Sequence, residues 1–361
     1  MMVLHIVGAR PNFMKAAPVI AALGMRKNIS QILLHTGQHY DKNMSSIFFE
    51  EIGIPRPDIN LEVGSGTHAE QTGMTMIKVE KIIRDVRPDI VLVYGDVNST
   101  LAGAIVCSKL NVKIAHVEAG LRSWDRTMPE EINRILTDQI ADILFTPSID
   151  ADHNLLREGI DKDKIHMVGN VMIDTLVNLL PKIVKRWDDI STAFHLQKKN
   201  YVLVTLHRPS NVDDLSMLST IMRTLSDISQ SINVVFPVHP RTRACIQKYE
   251  LQISSKKFLL HNPMGYLDFL CLQKYALSVI TDSGGIQEET TFLNVPCLTV
   301  RNSTERPVTV ELGTNTLVGT NVDVLKRRIE DLLSGNGKRG QVPPLWDGLS
   351  SERIAQVIEN V

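Results

Sequence analysis

The chain has 361 residues, long for a single hydrophobic core, and this length predicts two domains. Its 43% hydrophobic and 22% charged residues are ordinary for a globular protein, while a formal net charge of −1 excludes a basic surface for nucleic acid or an anionic membrane. Its longest apolar runs are too short to cross a bilayer, and the N-terminus enters a strand without a basic segment. We therefore expect neither a membrane span nor a signal peptide.

The cysteines set a second limit. Cys107, Cys245, Cys271 and Cys297 are widely spaced, and none forms a CxxC pair or lies in a Cys/His cluster. The sequence therefore predicts neither a zinc site nor a disulfide framework. Reduced cysteines are typical of the cytoplasm, which is the location we expect.

Apolar runs of strand length alternate with helical stretches along the whole chain. Continuous Val, Ile and Leu runs between helices are typical of parallel strands covered on both faces, so the pattern predicts two βαβ halves. The predicted strands are Val3–Val7, Gln31–His35, Ile90–Tyr94, Lys113–Val117, Ile143–Thr146, Tyr201–Leu206, Asn233–Val238, Ser278–Thr281 and Val295–Val300. We place the domains at residues 1–170 and 171–349, with a helical connector at the start of the second.

Ligands of parallel sheets bind at the carboxyl ends of the strands, so residues that follow strands are the informative ones. Arg10 and Lys15 follow the first strand, where Pro11 suits a helix start. Asp96 follows the strand Ile90–Tyr94. The alternatives are two solvated cations and an aspartate that caps the next helix.

The runs HVEAGLR and MPEEINR are the most unusual in the chain. Glu118 ends a hydrophobic strand, where a carboxylate is costly unless it has a partner, and Arg122 is the partner nearest in sequence. Glu130 and Arg134 lie four residues apart on one helix face, where a surface ion pair is the simpler interpretation. Together with Asp96, the two glutamates indicate acid/base chemistry, because crowded carboxylates have raised pKa values.

In the second half, His207 and His239 follow consecutive strands and are candidates for a phosphate or proton-transfer contact. The segment from Met264 to Phe269 offers side chains that would hold a flat base, unless they belong to the core. The arginines of the segment Arg301–Pro307 are natural partners for a diphosphate.

The stretch TDSGGIQEET predicts a buried strand, a tight turn at Ser283, Gly284 and Gly285, and a helix start. This order aims free backbone N–H groups and the positive end of the helix at one point, which suits a phosphate. Glu289 lies one turn further, within reach of an adjoining sugar hydroxyl. An ordinary strand-to-helix turn is the alternative.

With these residues assembled, the chain resembles the non-hydrolysing UDP-N-acetylglucosamine 2-epimerases over almost its whole length. The matching motifs, in order, are GARPNFMK, TGQHYD, GDVNST, HVEAGLRS, MPEEINR, TLHRPSN, FPVHP, TDSGGIQEE and TERP. The resemblance implies two Rossmann-like domains of the glycosyltransferase-B type with the active site in the interdomain cleft. It also implies a last helix, about residues 350–361, packed on the first domain, and a homodimer.

The resemblance also implies a reaction and a role for each matched residue. UDP leaves C1 of the sugar while a base removes the C2 proton, giving 2-acetamidoglucal, and UDP then adds back. No metal or other cofactor is expected, and the product would supply cell-surface polysaccharide. The implied UDP contacts are Arg10, Met264, Phe269, Ser283, Gly284, Gly285, Glu289 and Arg306. The implied groups around the sugar are Lys15, Asp96, Glu118, Glu130, Arg134 and His207.

Some bacterial members bind a second UDP-N-acetylglucosamine as an activator. Residues that match parts of that site are Gln38, His39, Arg208 and His239. Pro209 stands where members often carry a second arginine, and the loop 64–67 lacks an arginine that some members have. These departures weaken the prediction of activation.

Four alternatives stay open at this point. The substrate would be a related sugar nucleotide, such as UDP-2,3-diacetamido-glucuronic acid, or the enzyme would be a hydrolysing epimerase. The chain would otherwise be a retaining glycosyltransferase of the same fold, or a nucleotide-sugar sensor without turnover. The hydrolysing relatives usually carry Asp after Arg-Ala, where this chain has Arg10-Pro11-Asn12.

Overall fold

The first part of the chain folds around a seven-stranded sheet in the order β3-β2-β1-β4-β5-β6-β7, and every recorded strand pair is parallel. The strands are β1 Met2–Val7, β2 Ser30–His35, β3 Ile59–Asn60, β4 Ile90–Tyr94, β5 Lys113–Val117, β6 Ile143–Thr146 and β7 Ile165–Met167. The helices are α1 Arg10–Gly24, α2 His68–Val86, α3 Asn98–Leu110, α4 Pro129–Ile140, α5 Ile149–Arg157 and α6 Val171–Phe194, with a 3₁₀ turn at Lys162–Lys164.

A second, six-stranded parallel sheet follows in the order β10-β9-β8-β11-β12-β13. Its strands are β8 Tyr201–Thr205, β9 Asn233–Pro237, β10 Phe258–His261, β11 Ser278–Thr281, β12 Cys297–Thr299 and β13 Asn315–Leu317. Its helices are α7 Pro209–Val212, α8 Leu215–Ser231, α9 Pro240–Lys248, α10 Tyr266–Tyr275, α11 Gly284–Phe292, α12 Pro307–Glu311 and α13 Val322–Leu333. The prediction of two parallel-sheet α/β domains is confirmed.

This computed structural model describes residues 1–38, 49, 51–251, 255–319 and 321–361. They form two units, one of Met1–Asn178 with Pro344–Val361 and the other of Leu179–Pro343. The division falls inside helix α6, after Asn178, rather than at the start of that helix. Within the described ranges, no helix is both long and apolar enough to span a membrane.

Each of the nine predicted strand runs overlaps an observed strand, and the four strands that were not predicted are β3, β7, β10 and β13. All four lie at the edges of the two sheets. Edge strands bury less of their surface, so they lack the continuous apolar run that marks a central strand. Strand β4, by contrast, is buried along its whole length.

Pro18 lies inside helix α1, where a proline cannot donate to the carbonyl four residues earlier. That carbonyl belongs to Met14, and the hydroxyl of Thr175 donates to it at 2.6 Å. The carbonyl that Pro18 leaves without a partner in helix α1 therefore bonds the start of helix α6.

The C-terminal segment belongs to the first unit and ends in helix α14, Ser350–Glu359. The Asp174 carboxylate accepts the backbone N–H groups of Ser350 and Ser351 at 3.1 and 2.6 Å. The indole of Trp346 donates to the carbonyl of Pro147 at 2.9 Å. The two bonds to Asp174 satisfy backbone N–H groups at the start of helix α14, which have no partner within the helix.

Gly169 and Gly159 offer a matched test of this attachment. Both have left-handed φ values, +91° and +82°. A Cβ on Gly169 would lie 2.1 Å from the carbonyl oxygen of Leu345, whereas a Cβ on Gly159 would meet nothing within 4 Å.

We expect Gly159→Ala to lower the free energy of unfolding by about 1 kcal/mol, the cost of the left-handed conformation. Gly169→Ala adds a steric overlap and should lose about 3 kcal/mol or more. Urea unfolding of both variants measures the difference, and equal losses would show that the C-terminal segment does not press on Gly169.

Candidate active site

The ends of β1 and β4 are joined by one amide side chain. The Oδ1 atom of Asn12 accepts from the backbone N–H groups of Gly8 and Ala9 at 3.0 and 3.1 Å. Its Nδ2 donates to the carbonyl of Tyr94 at 2.8 Å. Asn12 therefore holds the loop that carries Arg10, which is half-buried at the first position of helix α1.

Lys15 and Glu118 form a buried ion pair, with exposed fractions of 6% and 7%. Glu118 has a φ of 74°, a left-handed conformation that is rare for a residue with a side chain. Gly95 has a left-handed φ of +62°, which favours glycine, and a Cβ there would lie 2.7 Å from the Lys15 ammonium. The structure thus brings together two of the predicted site residues.

The pairing of Glu118 with Arg122 is wrong. The Arg122 guanidinium instead contacts Asp138 at 2.7 Å and Glu158 at 2.6 Å. Burial lowers the pKa of Arg122, but its hydrogen bonds and the charges of the two carboxylates outweigh burial and raise that pKa. The short distance in sequence between Glu118 and Arg122 did not indicate which way the Arg122 side chain points.

Asp96 is paired with Arg134, whose Nε and Nη2 atoms lie 3.0 and 2.6 Å from one carboxylate oxygen. The same guanidinium donates to Glu131 at 2.7 Å, so the interpretation of Arg134 as the surface partner of Glu130 is wrong. Glu131 is fully buried and also accepts the backbone N–H groups of Ser123 and Trp124. The sequence analysis did not select Glu131, although its spacing of three residues from Arg134 was a signal. Glu130 is half-buried.

A buried polar network ties the end of β2 to the start of helix α3. The Gln38 Oε1 accepts from the N–H and hydroxyl of Ser99 at 3.0 and 2.7 Å, and Thr36 bonds the same hydroxyl at 2.7 Å. A Cβ on Gly8 would lie 2.2 Å from that hydroxyl. Gln38 therefore has a structural role, and a role for it in binding an activator stays a prediction. His39 lies outside the described residues.

In the second unit, Asp282 organises the end of β8. Its carboxylate accepts the backbone N–H groups of His207 and Arg208, at 3.0 and 2.9 Å, and the amide of Asn211 at 3.0 Å. The Nδ1 of His207 lies 3.0 Å from the other oxygen. Burial raises the pKa of Asp282, but its hydrogen bonds and the charge of His207 outweigh burial and hold that pKa below its usual value.

Asp282 thereby orients the His207 ring, whose side chain is 44% exposed. The ring of His239 lies 6.0 Å away. Burial lowers the pKa of His239, as do the neighbouring His207 and Arg241. Sequence reasoning did not select Asp282 as a site residue, although an aspartate that ends a buried strand was the available signal.

The predicted glycine turn begins helix α11, with Ser283 at the N-cap. The first N–H groups of a helix have no partner within it, so they are available to an anion. A Cβ on Gly284 would lie 2.5 Å from the Arg306 guanidinium, while a Cβ on Gly285 would meet nothing within 4 Å. Glycine is therefore needed at the first position so that Arg306 can approach the start of the helix.

Arg306 is buried between two carboxylates. Its Nε lies 2.7 Å from Glu288 and its Nη1 lies 2.6 Å from Glu305. Glu305 also contacts Arg301 at 2.7 Å. These ion pairs hold the Arg306 guanidinium against the glycine turn.

Glu289 is buried in helix α11 and accepts from the Tyr266 hydroxyl at 2.6 Å and from the Gln273 amide at 3.1 Å. Burial raises the pKa of Glu289 to about 7, against the smaller lowering effect of these two hydrogen bonds. Met264, in the loop after β10, and Phe269, in helix α10, are half-buried.

No group of three or more His, Cys, Asp or Glu side chains that could hold a metal ion is present among the residues described. All four cysteines are free. The predicted absence of a cofactor and the predicted cytoplasmic location stay predictions.

Comparison with known proteins identifies the family. The family model of UDP-N-acetylglucosamine 2-epimerase matches residues 21–359. A UDP-N-acetylglucosamine 2-epimerase of Methanocaldococcus jannaschii is 47% identical in an alignment of 361 positions that covers 98% of this chain and 97% of that protein. A UDP-2,3-diacetamido-2,3-dideoxy-D-glucuronate 2-epimerase of Pseudomonas aeruginosa is 43% identical in an alignment of 365 positions that covers 99% of each protein.

Solved structures agree in fold. The crystal structure of the Methanocaldococcus jannaschii UDP-GlcNAc 2-epimerase, in complex with UDP-GlcNAc and UDP, superposes with a TM-score of 0.90 at 46% identity and covers 100% of both chains. A lipopolysaccharide outer core galactosyltransferase matches with a TM-score of 0.58 at 14% identity and covers 100% of this chain and 99% of that one. The second likeness shows the fold alone, which is the glycosyltransferase-B type.

Glu289 makes the stability of the protein depend on pH. Its pKa rises from 4.5 to about 7 on folding. Between pH 4.5 and pH 7, Glu289 is therefore protonated in the folded state and ionised in the unfolded state. The stability that this proton provides is therefore fully present below pH 4.5 and is lost as the pH rises to 7, by about 3 kcal/mol. Glu289→Gln removes this dependence.

Urea unfolding of the wild type and of Glu289→Gln, at pH 5 and at pH 8, measures the effect. The wild type should lose more stability than the variant between the two pH values. Parallel losses would contradict a raised pKa at Glu289.

Proposed function

The chain belongs to the UDP-N-acetylglucosamine 2-epimerase family of isomerases, and from this premise we propose that it interconverts UDP-N-acetylglucosamine and UDP-N-acetylmannosamine without hydrolysis. The observation that carries the proposal is the pairing of charged side chains at the strand ends of the first unit, within a chain that matches family members over its whole length. The product would serve cell-surface polysaccharide synthesis.

The second unit would bind UDP. The N–H groups of Gly284 and Gly285 at the start of helix α11, the Ser283 side chain and the guanidinium of Arg306 suit the diphosphate, which is anionic. Glu289 would accept from a ribose hydroxyl in place of Tyr266, its present donor.

Three further side chains would complete the nucleotide contacts. Met264 and Phe269 are half-buried beside the start of helix α10 and would bracket the uracil. Arg10, at the start of helix α1 in the first unit, would add a second cation for the diphosphate.

The first unit would move the protons. A carboxylate takes the C2 proton, the C2–H electron pair forms the C1–C2 double bond, and the C1–O bond breaks with its electron pair going to UDP. The intermediate is 2-acetamidoglucal. A β-phosphate oxygen of UDP then attacks C1 while C2 takes a proton on the opposite face. We assign one transfer to Asp96 and the other to Glu118 or Glu130, with Lys15 and Arg134 holding the carboxylates.

His207 would stabilise the departing diphosphate. Its Nδ1 faces the Asp282 carboxylate, which fixes the ring and leaves Nε2 for the leaving group. Together with Arg306 and the helix N-terminus, His207 would provide hydrogen-bonding groups where negative charge develops.

A second candidate substrate is a UDP-2,3-diacetamido uronic acid. The relative from Pseudomonas aeruginosa that carries this name is as similar, at 43% identity, as one UDP-N-acetylglucosamine 2-epimerase of Methanococcus maripaludis. Overall identity therefore does not separate the two sugars.

A proton NMR time course in heavy water, without metal or nicotinamide, tests the reaction. With UDP-N-acetylglucosamine, we expect UDP-N-acetylmannosamine to appear with deuterium at C2. Asp96→Asn should lower kcat by on the order of 100-fold or more, since it removes a group that transfers the proton. Asp89→Asn is the matched control, because Asp89 precedes strand β4 and bonds the N–H of Met2.

Each other outcome of the time course has a definite meaning. Free N-acetylmannosamine with UDP would identify a hydrolysing enzyme. No turnover, followed by turnover of the diacetamido uronic acid nucleotide, would identify the second substrate. No turnover of either nucleotide would contradict the proposal.

We also propose a homodimer. Helices α2, α3 and α4 lie side by side, and α2 exposes Met74 and Ile77 by 45% and 55%. Helix α4 exposes Ile132 and Leu136 by 37% and 45%. Exposed apolar side chains on neighbouring helices are typical of an interface with another chain.

Light scattering after size exclusion tests the dimer. The wild type should have the mass of two chains, and Ile77→Glu should shift it to one chain, because a carboxylate cannot be buried there without a partner. Val184→Glu, at an apolar position of helix α6 that is 49% exposed, should leave the mass unchanged. A monomeric wild type would contradict the proposal.

A further inference from the structure

His116 is a buried histidine that the proposed reaction does not use. It lies in strand β5 and is fully buried. Its Nδ1 lies 2.6 Å from the Asp138 carboxylate, and its Nε2 lies 2.8 Å from the carbonyl oxygen of Gly95. Both ring nitrogens therefore face hydrogen-bond acceptors.

Asp138 is held as a carboxylate. Its second oxygen accepts the N–H of Gly120 at 3.1 Å and contacts the Arg122 guanidinium at 2.7 Å. Burial raises the pKa of Asp138, but the charges and hydrogen bonds of His116 and Arg122 outweigh burial and lower that pKa. The His116 ring is therefore held between the acceptor on Asp138 and the acceptor on Gly95.

In the His116–Asp138 pair, His116 fixes the backbone at Asp96. The Gly95 carbonyl accepts from His116, and the Gly95 N–H donates to the Val117 carbonyl at 3.0 Å. The carbonyl of Asp96 itself accepts from Asn133 at 2.8 Å. The peptide groups on both sides of Asp96 are therefore held in place.

In the same pair, Asp138 contacts the loop that carries Glu118. Asp138 accepts the N–H of Gly120, two residues after Glu118, and Gly120 has a left-handed φ of 81°. A Cβ on Gly120 would lie 2.5 Å from the carbonyl oxygen of Ala151, so this loop has little room to move. One buried carboxylate thus connects the backbone next to Asp96 with the backbone next to Glu118.

We propose that His116 and Asp138 are positioning residues that hold the carboxylates of Asp96 and Glu118 in register for proton transfer. The inference rests on the proposed function, because it needs these two carboxylates to act on one sugar. The pair touches the backbone of the two loops and acts on the reaction through them. Displacing a reacting group by about 1 Å costs on the order of 100-fold in rate.

His5 is a matched control in the same sheet. It is also fully buried, and its ring nitrogens bond the Tyr94 hydroxyl at 2.6 Å and the Gln31 amide oxygen at 2.9 Å. Burial lowers the pKa of His5 to about 4, so its ring is neutral. None of these contacts involves a strand-end carboxylate, so His5→Gln should cost stability without a specific loss of rate.

The experiment compares His116→Gln, Asp138→Asn and His5→Gln in the full-length protein with whichever UDP-sugar the wild type turns over. We expect the first two variants to lower kcat by on the order of 10- to 100-fold while KM changes by less than about threefold, because all the proposed UDP contacts except Arg10 belong to the second unit. His5→Gln should keep kcat within about threefold of the wild type at a similar loss of stability.

The inference is overturned if both variants keep kcat within the range of His5→Gln. If His116→Gln fails to fold, Asp138→Asn, which preserves the side-chain volume, decides by the same criterion. A wild type without turnover would instead contradict the proposed function.

A spectroscopic measurement separates a failure of the positioning inference from a failure of the proposed function, because it needs no substrate. In protein labelled with ¹⁵N-histidine, His116 is the ring signal lost in His116→Gln. We expect Asp138→Asn to shift this ring signal more than His5→Gln does, because Asp138 contacts the Nδ1 of His116. A ring signal that Asp138→Asn leaves unchanged would overturn the positioning role.

Discussion

A charge at the carboxyl end of a buried strand must find a partner, because removing an ion from water costs several kcal/mol even in a relaxed protein interior. Parallel sheets bring many such positions to one edge. In the first unit, Lys15 faces Glu118, and Arg134 faces both Asp96 and Glu131. The loops at this edge are arranged by these pairings, and the carboxylates proposed to move protons are members of them.

A further layer lies behind these pairs. His116, Asp138, Arg122 and Glu158 form a chain of contacts that end on backbone groups as well as on each other, and all but Glu158 are buried. The Arg122 guanidinium faces both carboxylates, and buried charges are tolerated when they are paired. Two members of this chain contact the backbone next to Asp96 and next to Glu118.

The central strands of both sheets could be predicted because they are buried on both faces and consist of continuous apolar runs. The edge strands β3, β7, β10 and β13 could not, since a run of two to four residues that is half-exposed has no distinctive pattern. Site positions followed from the strand ends. Their partners did not, because spacing along a helix or loop does not give the direction of a side chain. For this reason Glu130 was chosen where Glu131 is the partner of Arg134, and Arg122 was chosen where Lys15 is the partner of Glu118.

Two buried carboxylates of the second unit show how partners set protonation. Asp282 receives backbone N–H groups, an amide and the His207 ring, and its pKa is lowered despite burial. Glu289 receives one hydroxyl and one amide, lies beside Glu288, and has a pKa of about 7 because burial dominates. The first is a fixed anion that anchors a loop. The second changes charge near neutral pH, and a hydroxyl that replaced Tyr266 would meet a group whose charge depends on pH in that range. The number and charge of the donors around each carboxylate thus decide whether it stays ionised, as Asp282 does, or titrates near neutral pH, as Glu289 does.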